Sequence, residues 1–249
     1  MSEGARVTVA IPSFNQGRYL EKALQSAFAS GVPVEVYVAD AGSTDETAEV
    51  IRRWEGRLLG SRSHADGGQS AAINEGIAKG RAPYVCWLNS DDWWLDGGLA
   101  RLVAELDARP AAAMAYGRAW NFDERTQRMR PMFVRPFRER LMAQLNLISQ
   151  PATLIRRAAW DAAGGVDESL HMAMDYDLWW RLYRAHGAPV FVDAFVGVNR
   201  EHGATKTGTQ RRAHYREAMQ VVKRHYGRVP LKWWIAQPYA VWYRSLVGR

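Results

Sequence analysis

Apolar positions in the first hundred residues switch repeatedly between two spacings. Val7–Ile11 is an unbroken apolar or β-branched run that Pro12 stops, and it predicts a buried strand. Leu20, Ala23, Leu24, Ala27 and Phe28 then recur three and four residues apart, one face of a helix, with Gly31 as its stop. A second strand is expected over Val34–Ala39, ending at Asp40. In Ser43-Thr44-Asp45-Glu46 the glutamate follows Ser43 by three residues, which predicts a capping box opening a helix through about Trp54. The polar stretch His64–Ser70 leads into a short helix carrying Ile73 and Ile77. Tyr84–Leu88 predicts another buried strand, and Leu99, Leu102, Val103 and Leu106 mark the apolar face of the helix after it.

Strands alternating with helices imply the α/β class, with a mostly parallel, doubly wound central sheet flanked by helices. Parallel strands share a direction, so Pro12–Asn15, Asp40–Asp45 and Asn89–Asp92 should meet on one sheet edge, where open α/β sheets bind ligands. The third group stops an apolar run abruptly and brings two carboxylates to one point. Hard oxygen ligands there suit Mg²⁺ or Mn²⁺ bridging to substrate phosphates. A plain turn fits the same four residues.

The second half is less regular. Tyr116–Pro136 is basic and aromatic and reads as a hairpin or excursion rather than a core element. Arg156–Ala163 reads as a short helix closed by Gly164-Gly165, and Met174–His186 as a helix with Leu178, Trp179 and Leu182 on one face. Leu231–Val247 mixes Trp233, Trp234, Ile235, Tyr239, Trp242 and Leu246 with Lys232 and Arg244. That mixture suits a helix packed on the domain, a dimer contact or a lipid interface.

Composition narrows this in three places. A chain of 249 residues, 47% hydrophobic and 24% charged, fits one large α/β domain or one domain with a small appendage. No window approaches the ~20 apolar residues of a membrane span, and the first residues do not read as a signal peptide. The single cysteine, Cys86, lies inside an apolar run; this excludes a disulfide framework and implies a reducing, cytoplasmic setting and a buried side chain rather than a nucleophile. The net charge of +7 gathers in Arg125–Arg140 and Arg211–Arg249. Without zinc-finger spacing, basic heptads or an aromatic-basic RNA signature, nucleic acid is set aside as a partner.

Successive motifs then carry a resemblance. Val9-Ala10-Ile11-Pro12-Ser13-Phe14-Asn15, Ala39-Asp40-Ala41-Gly42-Ser43-Thr44-Asp45, Asp66-Gly67-Gly68-Gln69, Asn74-Glu75-Gly76 and Leu88-Asn89-Ser90-Asp91-Asp92 resemble those of the family-2 glycosyltransferases. Gln150-Pro151-Ala152-Thr153, Gly164–Glu168, Asp175-Tyr176-Asp177-Leu178-Trp179 and Arg200-Glu201-His202 continue the series, so that it covers roughly residues 5–205. The resemblance implies a glycosyltransferase-A fold and an inverting transfer from a UDP-, dTDP- or GDP-linked sugar to a glycan or lipid-linked acceptor, in bacterial surface polysaccharide or glycolipid assembly. It also implies one catalytic domain over residues 1–205, with a nucleotide-binding half (1–110) and an acceptor half (111–205). A helical extension over 206–249 follows, with possible contact to the inner face of a membrane.

Residue by residue, Asp40 resembles the base-binding aspartate, although a turn role beside Gly42 fits it too. Pro12, Ser13 and Asn15 resemble the loop along the nucleotide, and Asp66 and Gln69 residues near base and ribose. Asn89-Ser90-Asp91 stands in the Asp-X-Asp place with asparagine first. Asp91 is then the metal ligand, with Asp92 beside it and His202, flanked by Arg200 and Thr205, completing the metal or diphosphate contacts. The cofactor so implied is Mn²⁺ or Mg²⁺. Asp175 holds the place of the general base, with Met174 where the family often has glutamate; a carboxylate favoured by the helix dipole is the simpler reading of the same residue. Asp177, two residues on, points to nearly the opposite helix face. Trp93, Trp94, Trp120, Phe122 and Trp179 either stack on sugars or fill the core, and Arg128, Arg130, Arg135 and Arg138 face an anionic acceptor or a membrane. A nucleotidyltransferase and a silent glycan- or membrane-binding module are the alternatives. The first normally wants a glycine-rich basic loop, and Pro12–Tyr19 has one glycine and one arginine.

Overall fold

The computed structural model describes residues 4–237; Tyr239, Trp242, Arg244 and Leu246 lie outside the described residues. The strands are β1 (Val7–Ser13), β2 (Val34–Asp40), β3 (Gly60–Ser63), β4 (Tyr84–Trp87), β5 (Trp93–Trp94), β6 (Met114–Asp123), β7 (Arg128–Pro131), β8 (Thr153–Arg156) and β9 (Val190–Glu201). The helices are α1 (Gly17–Phe28), α2 (Thr47–Trp54), α3 (Gln69–Lys79), α4 (Gly98–Ala108), α5 (Glu139–Met142), α6 (Arg157–Ala163), α7 (Met174–His186), α8 (Lys206–Thr209), α9 (Arg211–Tyr226) and α10 (Leu231–Gln237).

All nine strands form one sheet in the order β3-β2-β1-β4-β8-β6-β9-β5, with β7 paired to β6. β1, β2, β3, β4, β6 and β9 run one way, while β5, β7 and β8 oppose them, so the sheet is mixed around a parallel majority. Reversal enters because β8 slots between β4 and β6, pairing antiparallel with each. Alternation along each strand sorts the two faces. Val7, Val9 and Ile11 pack with Leu20 and Leu24 of α1 and Leu99 and Leu102 of α4. Ala10, Val85 and Trp87 face Ile73 and Ile77 of α3 and Trp179 of α7. On that side Gly76 lets α3 lie against β1, since a Cβ there would sit 2.7 Å from Ala10 Cβ.

Three expectations change, and one open choice narrows. β1 does not stop at Pro12 but runs to Ser13. Ala10 O accepts from Leu88 N–H on the β4 side, so Pro12 of the same parity turns its missing N–H to that side, where pairing has already ended. The capping box does not form: α2 starts at Thr47, and Asp45 Oδ1 accepts from Thr47 N–H at 3.0 Å. Ser43 is drawn instead to the buried Asp40 carboxylate. Tyr116–Pro136 is a hairpin, yet its first arm is a core strand, because Tyr116 and Ala119 are buried between β8 and β9. Finally, the described part of the extension packs on the domain: Ala218, Val221, Val222 and Trp233 join the core of α6 and α7.

Candidate active site

The ends of β1, β2, β4, β6 and β9 converge on one edge of the sheet, as their shared direction requires. A cavity of ≈ 1810 Å³ opens there and continues to the start of α7. Pro12, Ser13, Asp66, Gln69, Asn89, Asp91, Asp92, Asp175, Arg200 and His202 all line it. Residues far apart in sequence are thus brought to one place.

At its centre Asp91 Oδ2 meets His202 Nε2 at 3.0 Å and accepts from Gln16 Nε2 at 3.3 Å. Asp91 Oδ1 has no protein donor among the described residues. Its neighbour differs. Asp92 is buried, with Oδ1 accepting from Arg200 N–H at 2.9 Å and Oδ2 from Asn89 Nδ2 at 3.1 Å. Burial, and then the nearby Asp91 charge, push its carboxyl well above the usual carboxylate range, against those donors. Asp92 therefore braces the turn and is not placed as a metal ligand. Among the described residues no three His, Cys, Asp or Glu side chains are grouped to hold an ion alone. Asp91 and His202 fit as two ligands of a Mg²⁺ or Mn²⁺ that phosphate would otherwise coordinate, the cation replacing the contact between them. Arg200 donates from Nε to Asp91 O at 2.9 Å, and its guanidinium lies over the Tyr19 and Trp93 rings at 4.6 and 4.8 Å.

Along the other wall the motif residues divide. Ser13 lines the cavity, and its buried Oγ has no hydrogen-bond partner among the described residues. Asp66 is held by Arg62 Nη2 at 2.6 Å and by Gly68 N–H at 2.7 Å. Gln69 donates to Asn89 Oδ1 at 2.8 Å. Three expected donor contacts lie off the cavity. Asp40 is fully buried, and Ser43 N–H (3.0 Å), Ser63 Oγ (2.5 Å) and Ser43 Oγ take up both its oxygens; the wall is Ala41 instead. Asn15, in left-handed backbone at φ 52, ties two loops together through Thr44 N–H. Ser90 is buried and donates to Gln16 Oε1.

Across the cavity, α7 presents Asp175 from its first turn. Tyr176 N–H donates to Oδ1 at 2.7 Å and Asn146 Nδ2 to Oδ2 at 3.3 Å. Burial raises its pKa, offset in part by those donors. Asp177 faces the core: burial would push its carboxyl up, but hydrogen bonds from His225 (2.7 Å) and Arg181 (2.7 Å) and their charge hold it at about 2. Trp93, Trp94 and Trp179 are buried core side chains, and Trp120 stacks on Phe195. Of the four hairpin-region arginines only Arg130 lines the cavity. Gln16, Asn146 and Gln150, the last donating to Trp87 O at 2.7 Å, were not assigned site roles from sequence. Nothing in the local spacing marks Gln16 or Asn146, while Gln150 opens one of the motifs that carry the resemblance.

The sequence model described as Glycosyl transferase family 2 matches residues 8–161. The chain is similar to the succinoglycan biosynthesis protein ExoU of Rhizobium meliloti, 32% identical over 200 residues that cover 73% of this chain and 58% of that protein. It spans 66% or less of the length of such curated relatives. Among solved structures it resembles S. aureus TarS 1-349 in complex with UDP-GlcNAc (TM-score 0.71, 18% identity, 88% of this chain and 66% of that one). It also resembles the mannosyltransferase PcManGT of Pyrobaculum calidifontis in complex with GDP-Man and Mn²⁺ (TM-score 0.70, 18% identity, 96% and 73%). At these identities the structural likeness is one of fold.

Proposed function

The chain belongs to glycosyl transferase family 2, and from that premise we propose that it transfers a sugar, with inversion, from a nucleoside diphosphate to an acceptor hydroxyl. The observation that carries this is one cavity holding Asp175 on the α7 wall and the Asp91–His202 pair at the strand ends. The nucleotide lies along Ser13, Ala41, Asp66 and Gln69; with Asp40 turned inward, the base edge is met by Asp66 and backbone groups. Asp91 and His202 would hold Mg²⁺ or Mn²⁺, which would supply positive charge to offset that growing on the departing diphosphate. Asp175 accepts the acceptor's hydroxyl proton while that oxygen bonds to the anomeric carbon and the bond from carbon to diphosphate oxygen breaks, the diphosphate leaving with the electron pair. Its raised pKa makes it a better proton acceptor than an exposed aspartate. UDP-, dTDP- and GDP-linked donors all satisfy this chemistry, and a bacterial surface polysaccharide or glycolipid is the acceptor class favoured by the succinoglycan relative.

The setting is the cytoplasm. No described helix is long and apolar enough to cross a membrane. Leu231, Trp234 and Ile235, exposed beside Lys232 on α10, support contact with a lipid surface; failure to sediment with anionic vesicles counts against it.

Two variants test the transfer. Asp175→Asn should slow turnover about 10²–10⁴-fold, a general base's usual contribution, and leave Mn²⁺-dependent nucleotide binding largely intact. Asp91→Ala should abolish transfer and weaken that binding. Near-wild-type turnover in Asp175→Asn sinks the base, and absence of nucleotide binding in calorimetry with UDP, dTDP and GDP sinks the transferase reading.

A further inference from the structure

The backbone that leads into α7 is held from beyond the expected catalytic domain, 1–205. Three consecutive N–H groups, of His171, Met172 and Ala173, all donate to Oε2 of Glu217 at 3.1, 2.7 and 3.2 Å. Glu217 is a buried residue of α9, in the segment read from sequence as an extension and beyond the residues 8–161 that the family model matches. The same segment also takes the carbonyls of this turn: Lys206 Nζ donates to His171 O at 2.6 Å, and His214 Nδ1 lies 3.4 Å from Met172 O. N–H groups at a helix start lack partners within the helix, and an ionised acceptor makes stronger bonds to them than a neutral one. Asp175 follows Ala173 by two residues, and Ala173 O accepts the Asp177 N–H that closes the first turn. His171 and Met172 themselves line the cavity.

We propose that Glu217 is a positioning residue for transfer: it fixes the His171–Ala173 backbone and thereby the direction in which the Asp175 carboxylate meets the acceptor. This rests on Asp175 being the base. Glu217 touches neither the nucleotide wall nor the Asp91–His202 pair, so its loss should leave the donor side alone. The C-terminal helix is then part of the catalytic unit.

The test uses the full chain, with turnover normalised to nucleotide-binding sites counted by calorimetry. Glu217→Ala should lower kcat about 10–100-fold, the range expected when a reacting group is displaced by up to about an ångström, with donor KM unchanged within about twofold. Glu217→Gln keeps an acceptor oxygen without the charge and should fall between Ala and wild type; it carries the test if the Ala variant does not fold. Amide exchange at Met172 and Ala173 should accelerate in both variants. Should Asp175→Asn slow transfer as expected while Glu217→Gln and every folded Glu217 variant keep wild-type kcat, or should exchange at those amides be unchanged, this proposal alone falls. Near-wild-type transfer by Asp175→Asn overturns the base and the proposal with it.

Discussion

Replacing Asn89 by aspartate would restore the acidic first position that the family's Asp-X-Asp motif shows, yet here it should weaken the protein. Asn89 Nδ2 donates both to Asp92 Oδ2 at 3.1 Å and to Gln150 Oε1 at 3.2 Å. Aspartate turns that donor into an acceptor facing two acceptors. Gln150 cannot simply rotate, since its Nε2 already donates to Trp87 O at 2.7 Å. Two lost hydrogen bonds remove about 2 kcal/mol. The new carboxylate would also lie against Asp92, whose own pKa is raised by burial and by Asp91. The two relieve that repulsion by sharing a proton, and each unit by which their folded pKa rises adds about 1.4 kcal/mol at neutral pH. The expected loss is about 2–4 kcal/mol by these increments. Its sign with pH follows from the raised folded pKa: the deficit is smallest in acid, where the shared proton is bound in both states, and grows as pH rises through the folded value. Urea unfolding of Asn89→Asp and wild type with chelator present, at pH 5 and 8, measures it. Equal midpoints at pH 8, or a deficit that does not change with pH, would refute the reasoning.

Asp177 has the opposite linkage, its folded pKa of about 2 lying below the ordinary 3.8. Its ion pairs should stabilise the fold above pH 3.8 and fade as pH falls towards 2; Asp177→Asn should flatten that acid limb and lose about 3 kcal/mol at pH 7 by unpairing a buried site. Gly98→Ala should lower stability by about 1–3 kcal/mol, because its Cβ would lie 2.5 Å from Val196 O, a backbone atom that cannot swing aside; an unchanged melting temperature would count against the close packing of α4 on β9.

What could be read from the sequence was whatever depends on neighbours in the chain. β1, β2 and β4 are buried on both faces, as their unbroken apolar runs predict, burial recurs at helical spacing along α1 and α4, and each of those elements and α7 stands within a few residues of its expected place. β3 was invisible because Gly60-Ser61-Arg62-Ser63 carries no apolar residue and is a strand only through pairing with β2. β6 was misread because its outer half, Trp120–Asp123, alternates aromatic with polar residues where it leaves the core to form the cavity rim. In the site, Asp91, Asp175 and His202 were marked by their motifs. Arg62, which donates to Asp66, Glu75 and Asp40 O, was not, for its role exists only once β3 lies beside β2.

The motif carboxylates also show why residue type and position alone do not separate a ligand from a strut. Asp40, Asp91, Asp92, Asp175 and Asp177 are all aspartates in the motifs that carry the resemblance. Asp40, Asp92 and Asp177 are each at most 2% exposed, and protein donors reach both oxygens of each. Burying a carboxyl group without hydrogen-bond partners is costly, so these three could be buried only by being satisfied, and a satisfied carboxyl has little left for substrate. Asp91 keeps one oxygen free of protein donors; Asp175, like Asp92, has one donor on each oxygen, but the weaker is at 3.3 Å and the residue is less buried than Asp92. Both open to the cavity. Hydrogen-bonding capacity is thus left unspent at Asp91 and, to a lesser degree, at Asp175, the two residues proposed for the chemistry.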